Sequence, residues 1–281
     1  MTLRLLVAEG NTAETRTRNA AQSGLTPSAY YANVLQGLAP DAVVDICFPA
    51  DPRANLHNSA GLAEYDGVAI TGSALNLWKA EPESLAQVDF AREVFASHTP
   101  FFGSCWGLQV AAVAAGGAVR LNPKGREIGF GRKITLTESG RCHLLHQGRP
   151  ASFDAPTVHG DEVGALPPDI TVTASNGMTR VQAAEIRHLG GKFWGVQYHP
   201  EYDFDEIATV LERYGERLIA DKLYATSEAL AAHAHDIRAL GRDRSRRDLA
   251  WRLSVDMDVL DPVMRLNEIA NWIKYQVRPA K

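Results

Sequence analysis

The chain has 281 residues, 45% of them hydrophobic, and a formal net charge of −4. That length holds one large α/β domain with an appendage, or two small domains. The near-neutral balance argues against nucleic acid or an anionic membrane surface as partner. The three cysteines, Cys47, Cys105 and Cys142, are odd in number and lack metal-ligand spacing, which excludes a disulfide scaffold and a zinc site. The N-terminus enters a strand-like run without a signal region, and no later run approaches the length of a membrane span. A cytoplasmic protein is expected, with no metal and no cofactor.

In chain order, residues 3–8 read as a buried strand. Residues 9–26 are polar and read as a long loop that carries function or a partner surface. Residues 28–38 read as a helix with Tyr31, Val34, Leu35 and Leu38 on one face, and residues 42–48 as a second strand. A third buried strand, beginning near Tyr65, ends in Thr71-Gly72-Ser73. Residues 84–97 form an amphipathic pattern with Leu85, Val88, Ala91, Val94 and Phe95 inward. A short apolar run then meets Cys105, which sits over the first turn of a helix that runs through the alanine- and valine-rich stretch 110–115 and stops at Gly116-Gly117. Strand–helix alternation of this kind implies a parallel sheet flanked by helices, with the loops that follow its strands gathered at one edge.

From Lys124 to Trp194 the pattern changes to short alternating runs at 128–137, 170–175, 181–187 and 193–197, read as antiparallel strands beside the parallel part. After Glu201 the chain reads as helices over 205–225, 227–240, 246–255 and 262–277. The expected organisation is a domain over 1–204 and a helical extension over 205–281. The cluster Arg242-Asp-Arg-Ser-Arg-Arg247 reads as a solvated connection. His143 and His146 read as loop residues, and His159 as structural. His233 and His235 lie on a polar helix face. Cys47 reads as a core thiol, and Cys142 lacks a glycine turn around it.

Chemistry concentrates in two stretches. In Gly103-Ser-Cys105-Trp-Gly-Leu-Gln109, a strand turns sharply into a helix, and glycines flank the cysteine on both sides. A helix N-terminus presents unpaired N–H groups and partial positive charge, a setting that favours a thiolate. In Val196-Gln-Tyr-His199-Pro-Glu201, a strand end delivers a histidine, and a carboxylate two residues on can hold its far side.

Together these two stretches resemble the class I, triad-type glutamine amidotransferases, whose patterns are Gly-x-Cys-x-Gly-x-Gln and His-Pro-Glu. Within that family the chain looks most like the glutaminase domain of GMP synthase and its stand-alone relatives, with Val158-His-Gly-Asp161 and Glu127-Ile-Gly-Phe130 as further matching segments. The resemblance covers roughly residues 40 to 205. It implies a flavodoxin-like α/β fold with a small antiparallel sheet.

By the same resemblance, Cys105 attacks the glutamine amide, His199 passes the proton to the leaving ammonia, Glu201 orients His199, and water resolves the γ-glutamyl thioester. Trp106 and either Ser73 or Gly72 supply the oxyanion N–H groups. Relatives commonly have Gly-Gly where this chain has Gly72-Ser73. Gln109 contacts the substrate and Asp161 its α-amino group. The residues after Tyr202 hold no phosphate loop, so ammonia is expected to pass to a separate synthase subunit. The C-terminal helices are expected to serve as a cap, a homo-oligomer contact or a docking surface. Two alternatives stay open: a γ-glutamyl hydrolase or transferase working on a γ-glutamyl amine or peptide, and a catalytically silent binding subunit.

Overall fold

The computed structural model describes residues 2–52, 54 and 56–280. Its strands are β1 (Leu3–Ala8), β2 (Ala42–Cys47), β3 (Gly67–Ile70), β4 (Phe101–Ser104), β5 (Ala118–Leu121), β6 (Glu127–Leu136), β7 (Ser152–His159), β8 (Asp161–Ala165), β9 (Ile170–Ser175), β10 (Ala183–His188) and β11 (Gly191–Val196). Among the described residues, nine of them make one sheet in the order β2-β1-β3-β4-β11-β10-β9-β6-β7. The first five in that order are parallel. The rest continue the same sheet antiparallel. The separate antiparallel sheet is β5 with β8. The flavodoxin-like order places the crevice at the C-terminal ends of β1 and β3.

The N-terminal half carries helices α1 (Ala13–Ser23), α2 (Pro27–Leu38), α3 (Ser59–Leu62), α4 (Pro82–Ser97), α5 (Trp106–Ala114) and α6 (Glu138–Arg141). The segment 9–26 is therefore not a loop. Thr12 caps α1 by accepting from Thr15 N–H, and Gly24 closes it in the left-handed region at φ 82°. Of that helix only Asn19 is buried, so it carries no apolar stripe for periodicity to reveal. The helix after Cys105 starts at Trp106, directly after the cysteine as expected. In α4, Leu85 is 46% exposed and points away from the core it was expected to join.

β1 is apolar on both faces because both are covered. Leu6 and Ala8 join a core with Phe95, Phe101, Trp106 and Leu108 beneath α4 and α5. Leu3, Leu5 and Val7 join a second core with Tyr31 and Leu35 of α2. β7 was not foreseen, because Pro156 breaks a strand pattern. It is tolerated since β7 lies at the sheet edge. β5 and β8 were also missed, being short and partly polar.

The helices after Glu201 are α7 (Phe204–Arg213), α8 (Gly215–Ala220), α9 (Ser227–Arg242), α10 (Arg247–Leu253), α11 (Met257–Leu260), α12 (Pro262–Arg265) and α13 (Asn267–Trp272). The helix expected over 205–225 breaks at Tyr214, and that over 262–277 breaks at Leu266. Phe204, Leu211, Ile237, Leu240 and Leu253 build a third core against Phe130 of β6. The last turns behave differently. Ile269, Trp272, Ile273 and Val277 enter the same core as β1, α2 and Phe102. They sit so close to β3 that a Cβ at Gly67 would meet Trp272 and Val277 at 2.8 Å.

Glu268, fully buried, ties this end down. Arg149 grips it with Nε–Oε1 at 2.7 Å and Nη2–Oε2 at 2.8 Å. Burial would raise the Glu268 carboxyl, but Arg149 and His146 hold it at about 2. His146, expected in a loop, is thus a buried partner of Glu268 and Thr173. The basic cluster at 242–247 is exposed, with Arg246 paired to Asp248.

Candidate active site

β4 ends at Ser104, and Cys105 follows with φ 51° and ψ −95°, a left-handed backbone that non-glycine residues seldom adopt. Its N–H donates to Val196 O of β11 at 2.7 Å, fixing the turn. The flanking glycines make the turn sterically feasible. A Cβ at Gly103 would meet the Gly107 backbone at 2.7 Å, and one at Gly107 would meet Ile70 O at 2.7 Å. The Cys105 thiol lies at the start of α5 and donates to Val158 O at 3.5 Å. Trp106 opens that helix, where first-turn N–H groups have no partner inside the helix.

His199 follows β11 and is anchored by its N–H to Pro156 O at 2.7 Å. Its Nδ1–H donates to Glu201 Oε1 at 2.7 Å. Glu201 is buried, and its other oxygen accepts from Ser104 Oγ at 2.8 Å, with Tyr31 OH donating onward to Ser104 at 3.2 Å. Tyr202 stacks on the imidazole, the ring centres 4.1 Å apart and the planes within 5°. His199 Nε2 is buried and makes no hydrogen bond among the described residues. Burial alone would push the ring's pKa down; the Glu201 charge and the neighbouring Cys105 reverse this and hold it at about 10.

The turn after β3 completes one wall. A Cβ at Gly72 would lie 2.7 Å from His199 Cε1, so the imidazole needs glycine there. Ser73 is not among the positive-φ residues, and its Oγ accepts from Leu75 N–H at 3.1 Å, so the turn accommodates this side chain. Asn11, just beyond β1, brackets the turn. Its Nδ2 donates to Gly72 O at 3.2 Å, and its Oδ1 accepts from Ala74 N–H at 3.0 Å. Buried Glu9 holds Asn11 in turn, accepting from its N–H and its Nδ2. Across a trans peptide the C=O and N–H point opposite ways, so turning Gly72 O toward Asn11 turns the Ser73 N–H away from it.

Among the described residues two cavities meet at Cys105. One, of about 320 Å³, is lined by Asn76, Trp78, Gln109, Arg126 and Asp161. The Asp161 carboxylate accepts from Asn76 Nδ2 at 2.7 Å and Trp78 Nε1 at 3.2 Å. Gln109 donates to Asp161 O and to Gln197 Oε1, both at 3.3 Å. The other cavity, of about 380 Å³, opens on the His199 side between α1 and α7. Tyr214, at the break between α7 and α8, lines both.

All the residues singled out from the sequence thus gather at one sheet edge. Asn11, Tyr202 and Tyr214 were missed. Asn11 carried a signal, since it follows the first strand directly and so belongs to that edge. His159 is structural, donating to Glu127 Oε2 at 2.8 Å, with Asp161 O at 3.0 Å. Cys47 is not at the site, and burial pushes its thiol up to about 12. Cys142 is exposed. No group of three His, Cys, Asp or Glu among the described residues could hold a metal ion. No helix there is long and apolar enough to cross a membrane.

The fold and this edge define an amidotransferase-type site. Residues 42–213 match the glutamine amidotransferase class-I family, and the chain belongs to it. It is accordingly an enzyme that acts on an amide. Over 99% of its length the chain is 37% identical to a gamma-glutamyl-L-1-hydroxyisopropylamide hydrolase of Pseudomonas sp, covering 94% of that protein. It is also 32% identical over 141 residues to a glutamine-hydrolysing GMP synthase of Nitrosomonas eutropha, spanning a quarter (25%) of it. A glutamine amidotransferase structure from Thermotoga maritima shares the fold at a TM-score of 0.62 and 16% identity, with 99% of each chain covered.

Proposed function

We propose that the protein hydrolyses γ-glutamyl amides whose nitrogen carries a substituent, through a γ-glutamyl thioester on Cys105. One observation carries this reading: the site has a second cavity of about 380 Å³ on the His199 side of the sulfur. Ammonia, about the size of water and its ~30 Å³ share of the liquid, needs no such space. The 37% identity to a hydrolase of a substituted γ-glutamyl amide supports the same reading.

In this mechanism the glutamyl head lies in the Gln109–Asp161 cavity, with Asp161 facing its α-ammonium. Cys105 Sγ attacks the γ-carbonyl carbon, its proton held by His199. Charge developing on the carbonyl oxygen is met by the N–H groups of Ser73 and Trp106. His199 Nε2 gives its proton to the amide nitrogen, the C–N bond breaks, and the amine departs into the larger cavity. Water then attacks the thioester, His199 takes its proton, and glutamate and the Cys105 thiol are released. Glu201 keeps Nδ1 protonated and the ring aligned throughout.

A second reading is glutamine hydrolysis with ammonia passed to a separate synthase, favoured by the match to GMP synthases. One experiment separates them. Amine and ammonia release are measured from γ-glutamyl alkylamides and from glutamine, beside Cys105→Ala, and the acylated enzyme is sought by mass spectrometry. Faster turnover of the alkylamides, lost in the variant, supports hydrolysis of substituted amides. Turnover of glutamine alone supports the second reading. No acylation of Cys105 by either class removes both.

A further inference from the structure

The segment 197–203, between β11 and α7, carries His199 and Glu201 and belongs to no helix or strand. Its carbonyl oxygens have no ladder to join, and Pro200 has no N–H with which to anchor itself. Two side chains from distant parts of the chain take up the task. Tyr30 of α2 donates its OH to Glu201 O at 3.1 Å and accepts from Asp203 N–H at 3.2 Å. Arg265, the last residue of α12, donates Nε to Pro200 O at 3.3 Å. The two acceptors belong to the peptide planes on either side of the Glu201 Cα. A peptide unit is rigid, so holding both planes sets φ and ψ of the residue between them. That sets the direction in which the Glu201 carboxylate reaches for His199 Nδ1.

Arg265 is a costly residue for mere filling of space. It is only 6% exposed, and burial holds its pKa below the ordinary arginine value. Its Nη1 is buried with no hydrogen-bond partner, and the acceptor that Nε reaches is a neutral carbonyl. An apolar side chain of similar volume would fill the space at less cost to the fold. Arg149 Nη2 donates to Arg265 O at 3.2 Å, so the Arg149–Glu268 clamp also fixes the backbone from which Arg265 reaches. From these contacts we infer that the C-terminal helices brace the loop of His199 and Glu201, with Arg265 and Tyr30 as positioning residues that aim the Glu201 carboxylate and, through it, the imidazole. Tyr30 also lines the larger cavity, whereas Arg265 lines neither, so Arg265 is the place to test it. The inference rests on His199 and Glu201 serving amide hydrolysis, whichever amide is turned over.

The test measures kcat and KM of the full chain on a γ-glutamyl alkylamide and on glutamine, with active sites counted by labelling Cys105 with a glutamine-analogue diazoketone. Arg265→Met should lower kcat per active site by roughly 10- to 100-fold, the scale of a misplaced catalytic group, with KM changed less than about threefold. Arg265→Lys, whose Nζ still donates, should recover part of the loss. Leu249→Ala, which opens the third core, should lower the melting temperature and leave kcat unchanged. Wild-type kcat in Arg265→Met overturns the inference and leaves the amide reading standing. So does a loss that Arg265→Lys does not relieve, or one that Leu249→Ala shares. Where Arg265→Met does not fold, Tyr30→Phe, which keeps the ring and removes the other bond, is read in the same way: lower kcat at unchanged KM supports the inference, and wild-type kcat overturns it. No turnover of either amide by the wild-type chain, with no labelling of Cys105, removes the amide reading and the inference with it.

Discussion

The two cavities that meet at Cys105 share the walls Ser73, Ala74, Val158 and Tyr214 but are otherwise built from different material. The smaller is framed by the sheet edge and α5, with Gln109 and Asp161 locked to each other and to Asn76, Trp78 and Gln197. Gln109 and Asp161 are already paired, so a ligand meets a preformed frame on that wall, while Arg126, on the same lining, has a buried Nε with no hydrogen-bond partner. The larger lies between α1, which has no apolar stripe, and α7, whose apolar face packs on the third core, and in it Arg213 Nη2 has no hydrogen-bond partner and sits 3.6 Å from Glu206. The contrast teaches a division of labour. Under the proposed function the rigid side would hold what every substrate of the class shares, and the helical side would meet what differs.

The comparison can be broken from its shared wall outward. Cys105→Ala should abolish turnover of every γ-glutamyl amide, by roughly 10⁴-fold or more, with little change in melting temperature. Residual turnover close to wild type would place the chemistry elsewhere. Gly72→Ala should lower kcat roughly 10²- to 10³-fold, because the new Cβ would press on His199 Cε1 at 2.7 Å. Ser73→Ala, which keeps the backbone N–H, should stay near wild type. Similar losses in both variants would mean that the Ser73 hydroxyl, not the turn, matters.

Asp161→Asn should raise KM by roughly 10- to 100-fold, the value of a lost hydrogen bond to a charged group. It should do so equally for glutamine and for substituted amides, since the head group is common to them. A loss confined to one class would erase the division between the cavities. Asn11→Ala should cost about 10-fold in kcat with KM little changed, because the turn that aims the Ser73 N–H loses its bracket.

The smallest effect is one of position on the pH axis. His199 titrates at about 10, above its ordinary 6.5. A raised pKa means that the stabilisation of the imidazolium is complete below pH 6.5 and disappears as pH rises through 10. The alkaline limb of kcat should therefore fall near pH 10, where the proton for the leaving amine is lost. A limb near 6.5 would show that Glu201 and Cys105 together do not sustain the charge.

What the sequence discloses follows the same line. Cys105, His199 and Glu201 are legible because each sits in a short motif with a steric or electrostatic requirement, such as glycines that admit a backbone at φ 51°. Gln109 follows from the cysteine motif, and Asp161 from the separate Val158-His-Gly-Asp161 segment. The parallel strands are legible because both faces are apolar. Helix α1 is not, because only Asn19 of it is buried, so burial leaves no periodic trace. Asn11 and Tyr214 act through contacts with residues far along the chain, which local pattern cannot show. The role of residues 266–277 is hidden for the same reason. Their apolar pattern predicts burial but not that β1 and β3 are what they cover.

That last contact sets a timetable. A ribosome makes β1, β3 and β4 long before it makes Trp272 and Val277, at about 5–20 residues per second. Until then the part of that face not covered by α2 lacks its cover, and the buried Arg149 waits for Glu268. Synthesis therefore passes through a stage lasting several seconds in which the catalytic framework exists in sequence but cannot close its core. During that stage the uncovered apolar face is the surface on which a chaperone, or a neighbouring nascent chain, would first take hold.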